Sequence, residues 1–104
     1  MLFSVFERLL LLSVLPKEGD LTTIRIVRDL KSALSFTESE HEVLKFRVDP
    51  NTGGTQWENQ IEPVEIPIGP KAHKLITDAL GELDKAKKLS LEHLPVYERF
   101  LEAE

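Results

Sequence analysis

The loop that begins at Asp49 comes nearest to a cation-binding pattern in this chain. A calcium loop of the EF-hand type takes oxygen ligands at positions 1, 3 and 5, a glycine at position 6 and a glutamate at position 12. Counted from Asp49, Asn51 and Gly54 fit this pattern. Position 5 is Gly53, which has no side-chain oxygen, and position 12 is Gln60. The sequence therefore predicts a hairpin turn here rather than a calcium site.

The three histidines, His41, His73 and His93, are the remaining candidates for metal binding or proton transfer. No two of them have the four-residue spacing of a helical zinc pair. The sequence also has no G-x-S-x-G turn, no phosphate-binding loop and no G-x-G-x-x-G fingerprint. We expect a non-enzymatic protein without a catalytic residue, cofactor or metal. An enzyme with a non-standard site is kept as a further alternative.

Three basic residues, Arg25, Arg28 and Lys31, follow one another at three-residue steps beside the apolar positions of a predicted helix. Together with Arg47 they could contact the phosphates of a nucleic acid. They could equally form a solvated helix face on which Arg28 pairs with Asp29. The net charge of −5 disfavours non-specific binding to phosphate backbones. We favour the solvated face, and keep the nucleic-acid contacts as the alternative.

The composition is that of an ordinary globular protein. The chain has 104 residues, of which 41% are hydrophobic and 30% are charged. We expect one compact domain over residues 1–104, with a hydrophobic core large enough to be stable without disulfides or metal ions. Cysteine is absent, so disulfide and thiolate chemistry are excluded, which fits a cytoplasmic protein.

The most apolar stretch runs from Leu2 to Leu15 and is predicted to be the central helix. Most of its leucines share one side, but Leu11 and Leu15 project from the opposite side, near Glu7 and Arg8. A helix that is apolar nearly all round must be covered. It is therefore either the core helix, or its second face meets a partner chain. The stretch is shorter than the ~20 residues of a membrane span, and it has no basic start like that of a signal peptide.

Two more helices are predicted before residue 46, each from a capping signal. Asp20 can cap a helix whose apolar residues recur at three- and four-residue steps up to Leu34. Thr37 and Glu40 have the spacing of a capping box, which begins a short helix over about residues 38–45. We expect its Val43 and Leu44 to face inward.

Strands and two last helices follow. The segments 46–48 and 55–58 predict a hairpin across the glycine-rich turn. The alternating segment 64–68 predicts an edge strand, because its prolines cannot donate to a sheet. Pro70 suits the start of a long amphipathic helix, and Pro95 suits the first turn of a final one. The residues of that last helix expected to face the core are Leu94, Tyr97, Phe100 and Leu101.

The predicted fold class is therefore α+β, with three N-terminal helices, a small antiparallel hairpin or sheet and two C-terminal helices. The order of elements over about residues 2–68 resembles a winged helix-turn-helix. This resemblance implies that the third helix would enter the major groove of DNA. That helix carries Glu38, Glu40 and Glu42, which would face phosphates. If the resemblance holds, we expect the helix to bind protein instead.

We predict a small interaction or regulatory protein that acts through protein–protein contacts and self-associates as a homo-oligomer. The candidate interface comprises Leu11 and Leu15 on the second helix face, Ile66 on the edge strand, and Trp57 as a contact anchor. Trp57 could instead cover the core from the hairpin, and we favour that role modestly. The alternative function is a winged-helix-like DNA-binding regulator that uses Arg25, Arg28, Lys31 and Arg47.

Overall fold

Helices supply most of the regular structure of the chain. The computed structural model describes residues 1–102. Its elements are, in chain order, β1 (Leu2–Phe3), α1 (Val5–Val14), α2 (Leu21–Leu34), α3 (Glu38–Leu44), β2 (Arg47–Val48), β3 (Thr55–Gln56), β4 (Val64–Glu65), α4 (Pro70–Lys85), α5 (Leu94–Tyr97) and a π-helical turn (Glu98–Glu102). This architecture confirms the α+β class and the predicted order of helices and hairpin.

The first residues of the apolar stretch form a strand, so the prediction that the helix begins at Leu2 is wrong. The Ser4 hydroxyl accepts a hydrogen bond from the Glu7 N–H, and the Glu7 carboxylate accepts one from the Ser4 N–H. This capping box begins α1 at residue 5. Leu2 and Phe3 remain extended, and β1 pairs antiparallel with β4. The sequence of the apolar stretch gave no signal for this long-range pairing.

The predicted hairpin is present, but it stands apart from β4. Strands β2 and β3 pair antiparallel and form a two-stranded sheet of their own. The Asp49 carboxylate accepts hydrogen bonds from the Asn51 N–H at 2.8 Å and from Gln56 Nε2 at 3.1 Å. Gly53 adopts φ +73°, a conformation that glycine adopts without strain. Asp49 therefore serves the turn itself.

The main core lies between α1, α2, α4 and the C-terminal segment. Leu11 is fully buried and Leu15 is 6% exposed, so the second face of α1 is covered by its own chain. α1 is thus the central core helix, the first of the two alternatives. The buried residues of this cluster are Phe3, Leu10, Leu11, Leu15, Leu30, Leu34, Ile66, Ile76, Leu80, Val96 and Phe100.

The C-terminal segment faces the core differently from the prediction. Val96 and Phe100 are buried, whereas Leu94 and Leu101 are exposed. The reason is that α5 is one turn long and then widens into the π-helical turn, which changes the residues that share a face. In α3, likewise, Leu44 is buried but Val43 is exposed.

Helix α3 and the hairpin pack outside the main core. Leu44 is buried but does not belong to the main cluster. The end of α3 is held to the hairpin by the Glu58 N–H, which donates to the Leu44 carbonyl at 2.9 Å. Asn59 Nδ2 donates to the Val43 carbonyl at 2.7 Å. Helix α3 therefore contributes no residue to the main core, whose members from the first three helices come from α1 and α2.

Arg8 is charged but buried, with 2% of its side chain exposed. Its Nε donates to the Leu34 carbonyl at 3.1 Å, and its Nη2 donates to the Ser35 carbonyl at 2.7 Å. Its Nη1 donates to Glu40 Oε2 at 2.7 Å. The guanidinium also lies 3.9 Å from the ring centroid of Phe36. Arg8 thus joins α1 to the end of α2 and to the start of α3.

We predict that Arg8→Ala lowers the free energy of unfolding by about 3 kcal/mol or more. The reason is that the Glu40 carboxylate and the Leu34 and Ser35 carbonyls lose their hydrogen-bond donor. Arg28→Ala is the matched control. Among residues 1–102, Arg28 forms an ion pair with its exposed neighbour Asp29 and with no other residue. Its loss should therefore change the free energy of unfolding by less than about 1 kcal/mol. Urea denaturation followed by circular dichroism measures both. Equal losses in the two variants would contradict the structural role of Arg8.

Protonation of the Glu40 carboxylate at low pH is expected to lower the free energy of unfolding. The hydrogen bonds from Arg8 lower the pKa of Glu40 from 4.5 to about 2, with help from the Thr37 N–H and against the effect of burial. Because the folded-state pKa is the lower one, the carboxylate stabilises the fold fully above about pH 4.5 and loses this effect as the pH falls through about 2.

We therefore expect the difference in free energy of unfolding between the wild type and Glu40→Gln to be constant above about pH 4.5 and to shrink towards pH 2. Urea titrations across this range measure it. Glu38→Gln, at an exposed position of the same helix, is the control for removing a glutamate charge. A difference for Glu40→Gln that does not vary with pH would be inconsistent with the lowered pKa.

Candidate functional site: a groove between the first two helices

Helix α2 carries more apolar surface than the core uses. Leu30 and Leu34 at its C-terminal end are buried, but Leu21 is 66% exposed and Ile24 is 36% exposed. The helix is fixed at its start by the Asp20 carboxylate, which accepts a hydrogen bond from the Thr23 N–H at 2.8 Å. Its outer apolar residues are therefore held in place by a regular, capped helix.

A groove of about 620 Å³ runs between the end of α1 and the length of α2. We call it the α1–α2 groove. Pro16 shapes one end of it, because the residue before a proline is disfavoured in helical conformation, and α1 stops at Val14. Ser32 and Ser35 lie at the α2 end. Its apolar lining consists of Leu12, Leu15, Pro16, Ile24 and Val27.

The charged residues that line this groove are all basic: Lys17, Arg28 and Lys31. The Arg28 guanidinium lies 3.3 Å from the carboxylate of Asp29, and both side chains are exposed, so the pair is weak. Within the described residues, Lys17 and Lys31 make no ion pair. The groove therefore joins an apolar floor to cations that are available to a ligand.

The opposite side of α2 offers apolar cavities of 460 and 590 Å³ against α4, which share Ile26 and Lys71. The charges there are mixed: Lys74 pairs with Asp78 at 2.9 Å, and Glu82 lies nearby in the lining. Because these charges largely neutralise one another, they select less strongly for a charged partner. The α1–α2 groove has charges of one sign and is the stronger candidate.

The structure places three of the four predicted interface residues in the interior. Leu11, Leu15 and Ile66 are 0%, 6% and 2% exposed. Leu11 and Ile66 therefore present almost no surface to a partner, and Leu15 contributes only the small exposed part of its side chain, which lines the α1–α2 groove. Leu11 and Leu15 were predicted to meet a partner because their helix face needed covering, and the chain itself covers it. The fourth, Trp57, is half-buried against Phe46, with ring centroids 6.2 Å apart. It covers a small aromatic cluster, outside the main core, that also includes Phe36.

The four basic residues proposed for nucleic-acid contacts lie on two separate elements. Arg25, Arg28 and Lys31 are exposed on α2. Arg47 belongs to β2, and its Nη1 donates to Glu58 Oε1 at 3.1 Å. The structure thus brings Arg28 and Lys31 together with Lys17, which sequence reasoning missed. The only sequence signal for Lys17 was its place just after the proline that ends the first helix.

The histidines do not form a catalytic or metal site with the groove. Nδ1 of His93 lies 2.9 Å from the Ser90 hydroxyl and also accepts from the Ser90 N–H at 3.0 Å, which is the arrangement of a turn cap. The rings of His41 and His73 pack beside Phe46 and Phe100. Residues 1–102 contain no group of three side chains placed to hold a metal ion.

No helix in this range combines the length and the apolarity that crossing a bilayer requires. Comparison of the chain with protein-family models, with curated proteins and with solved structures finds no match.

We predict that the groove can be altered without loss of the fold. Arg28→Glu with Lys31→Glu changes two exposed side chains and should shift the free energy of unfolding by less than about 1 kcal/mol. Ile24→Glu, at a partly covered position, should cost less than about 1.5 kcal/mol. Leu30→Ala, a fully buried neighbour on α2, should cost about 2–5 kcal/mol. Chemical denaturation of the variants checks this order, and a groove variant as damaging as Leu30→Ala would contradict it.

Proposed function

We propose that this chain is a small protein-binding module that acts by contact, without catalysis, and that its binding surface is the α1–α2 groove. The observation that carries the proposal is an open apolar groove whose charged lining residues are all cations, in a protein of net charge −5. Apolar surface rimmed by polar residues is typical of protein interaction sites. A cytoplasmic setting is part of the proposal, favoured by the cysteine-free sequence.

The groove also changes the form of the proposed interaction. Self-association was expected from the second face of α1, and that face is now covered within the chain by neighbouring elements. Leu21 and Ile24 on α2 are among the large hydrophobic residues that remain exposed, and Ile24 also lines the α1–α2 groove. Either a second copy or a different protein could occupy this surface by the same physics. The proposal is therefore a contact through α2, and the experiment must distinguish the two occupants.

Site-specific photocrosslinking in living cells of the source organism tests this function. A photoreactive p-benzoylphenylalanine replaces Ser32 at the groove or, as the matched control, Asn51 at the exposed hairpin turn. We expect heavier adducts from position 32 and not from position 51, with the adducts lost when Ile24→Glu is added.

An adduct of twice the chain mass would identify a second copy, and any other discrete mass would identify a different protein. The proposal fails if position 32 gives no adduct, or if both positions give the same adducts. It also fails if Ile24→Glu leaves the adducts unchanged, because the contact would then not depend on the apolar floor of the groove.

A further inference from the structure

We infer that the occupant of the α1–α2 groove is a helical segment of another protein, about three turns long, apolar on one face and acidic along its flanks. This inference rests on the proposed function and names the chemistry of its partner. It is carried by three features of the groove: its length, the kind of groups that line it, and the sign of its charges.

The length comes from α2. The lining residues on this helix and its C-cap extend from Ile24 to Ser35. At about 1.5 Å per residue, these eleven steps cover roughly 16 Å, which is about three turns of a helix laid alongside. Ile24, Arg28, Lys31 and Ser32 are all exposed along this length, so their surface can receive a segment that lies parallel to α2.

The lining groups favour a helix over an extended segment. The groove is formed by side chains of two helices and a turn, and neither two-stranded sheet contributes a lining residue. An extended peptide gains affinity from its backbone N–H and C=O groups where a strand edge can pair with them, and this groove offers no such edge. The Ser35 hydroxyl is already committed to the Lys31 carbonyl at 2.5 Å. A helix satisfies its own backbone and needs only apolar side chains on one face.

The charges select the flanks of that helix. The three charged lining residues, Lys17, Arg28 and Lys31, are all cations. The chain as a whole carries −5, so an acidic segment is repelled by the rest of the surface and attracted here. Complementary charges of this kind speed encounter and fix orientation more than they add affinity. A basic helix with the same apolar face should therefore bind more weakly.

Fluorescence anisotropy with three labelled peptides of about 14 residues tests the inference. The first has leucines at positions i, i+3, i+7 and i+10 with glutamates on its flanks. The second has the same leucines with lysines, and the third has the composition of the first in scrambled order. We expect the acidic amphipathic peptide to bind the wild-type chain at least about 10-fold more tightly than either of the others, and to weaken as salt is raised.

The matched variants test whether the groove is the site. Arg28→Glu with Lys31→Glu should weaken binding of the acidic amphipathic peptide by about 10-fold or more. Lys87→Glu with Lys88→Glu makes the same change of net charge at exposed positions outside the groove, and should change it by less than about 2-fold. Equal effects in the two pairs would overturn the inference, and so would equal binding of the three peptides.

A short DNA duplex gives the remaining arm. If it binds, and the same charge reversal abolishes that binding, the cations serve a nucleic acid and the acidic helix is wrong. If position 32 crosslinks to a protein in cells but the acidic peptide binds no better than the scrambled one, the protein-binding function is supported and the acidic helical partner is wrong. An adduct formed solely with a second copy also overturns a separate acidic partner. Loss of both the crosslinks and the peptide binding removes the proposed function itself.

Discussion

The hydrogen bonding of one buried guanidinium fixes how the first three helices meet. A buried cation is costly unless every donor finds an acceptor, and Arg8 uses the Leu34 and Ser35 carbonyls together with the Glu40 carboxylate. Carbonyls at the end of a helix lack partners within that helix. Glu40 is in turn the residue that closes the capping box of α3. Arg8 therefore holds the end of α2 against α1, and because Ser35 lies at one end of the α1–α2 groove, it also helps to set the shape of that groove.

Glu7, the neighbour of Arg8, connects α1 to the C-terminal segment of the chain. Arg99 Nη1 donates to Glu7 Oε2 at 2.6 Å, and the Arg99 guanidinium lies 4.8 Å from the ring centroid of Phe3. Burial raises the pKa of Glu7, but the hydrogen bond from the Ser4 N–H and those from Arg99 outweigh it, so the pKa is lowered overall. Two adjacent charged residues in the most apolar helix thus bind different parts of the molecule. They make the orientation of α1 specific, which an apolar face alone would not do.

Features that depend on contacts between residues close in sequence could be predicted, and features that depend on distant residues could not. Asp20 and the Thr37–Glu40 box begin their helices through hydrogen bonds within one turn. Pro70 begins α4 through its own fixed φ, and all three helices were predicted correctly. The pairing of β1 with β4 joins residues more than 60 positions apart, and the apolar letters of Leu2 and Phe3 fit a helix as well as a strand. The burial of Arg8 also depends on where α2 ends in space. For the groove, Arg28 and Lys31 were named as candidates for one site and Leu15 for another, but their meeting in one groove was not predicted.

The surface that remains for function is a consequence of how α1 is covered. A helix that is apolar nearly all round needs neighbours on most sides. Elements α2, α4 and the C-terminal segment supply them for α1, although Phe6 stays 38% exposed. Each neighbour can turn only one face inward, and the apolar stripe of α2 is broader than that face, since Leu21 and Ile24 stay exposed beyond Leu30 and Leu34. Single exposed aliphatic residues are common and need no explanation. Here, however, Ile24 lines a groove together with Lys17 and Lys31, and this combination of apolar and cationic groups is the reason for proposing an acidic, apolar-faced partner segment.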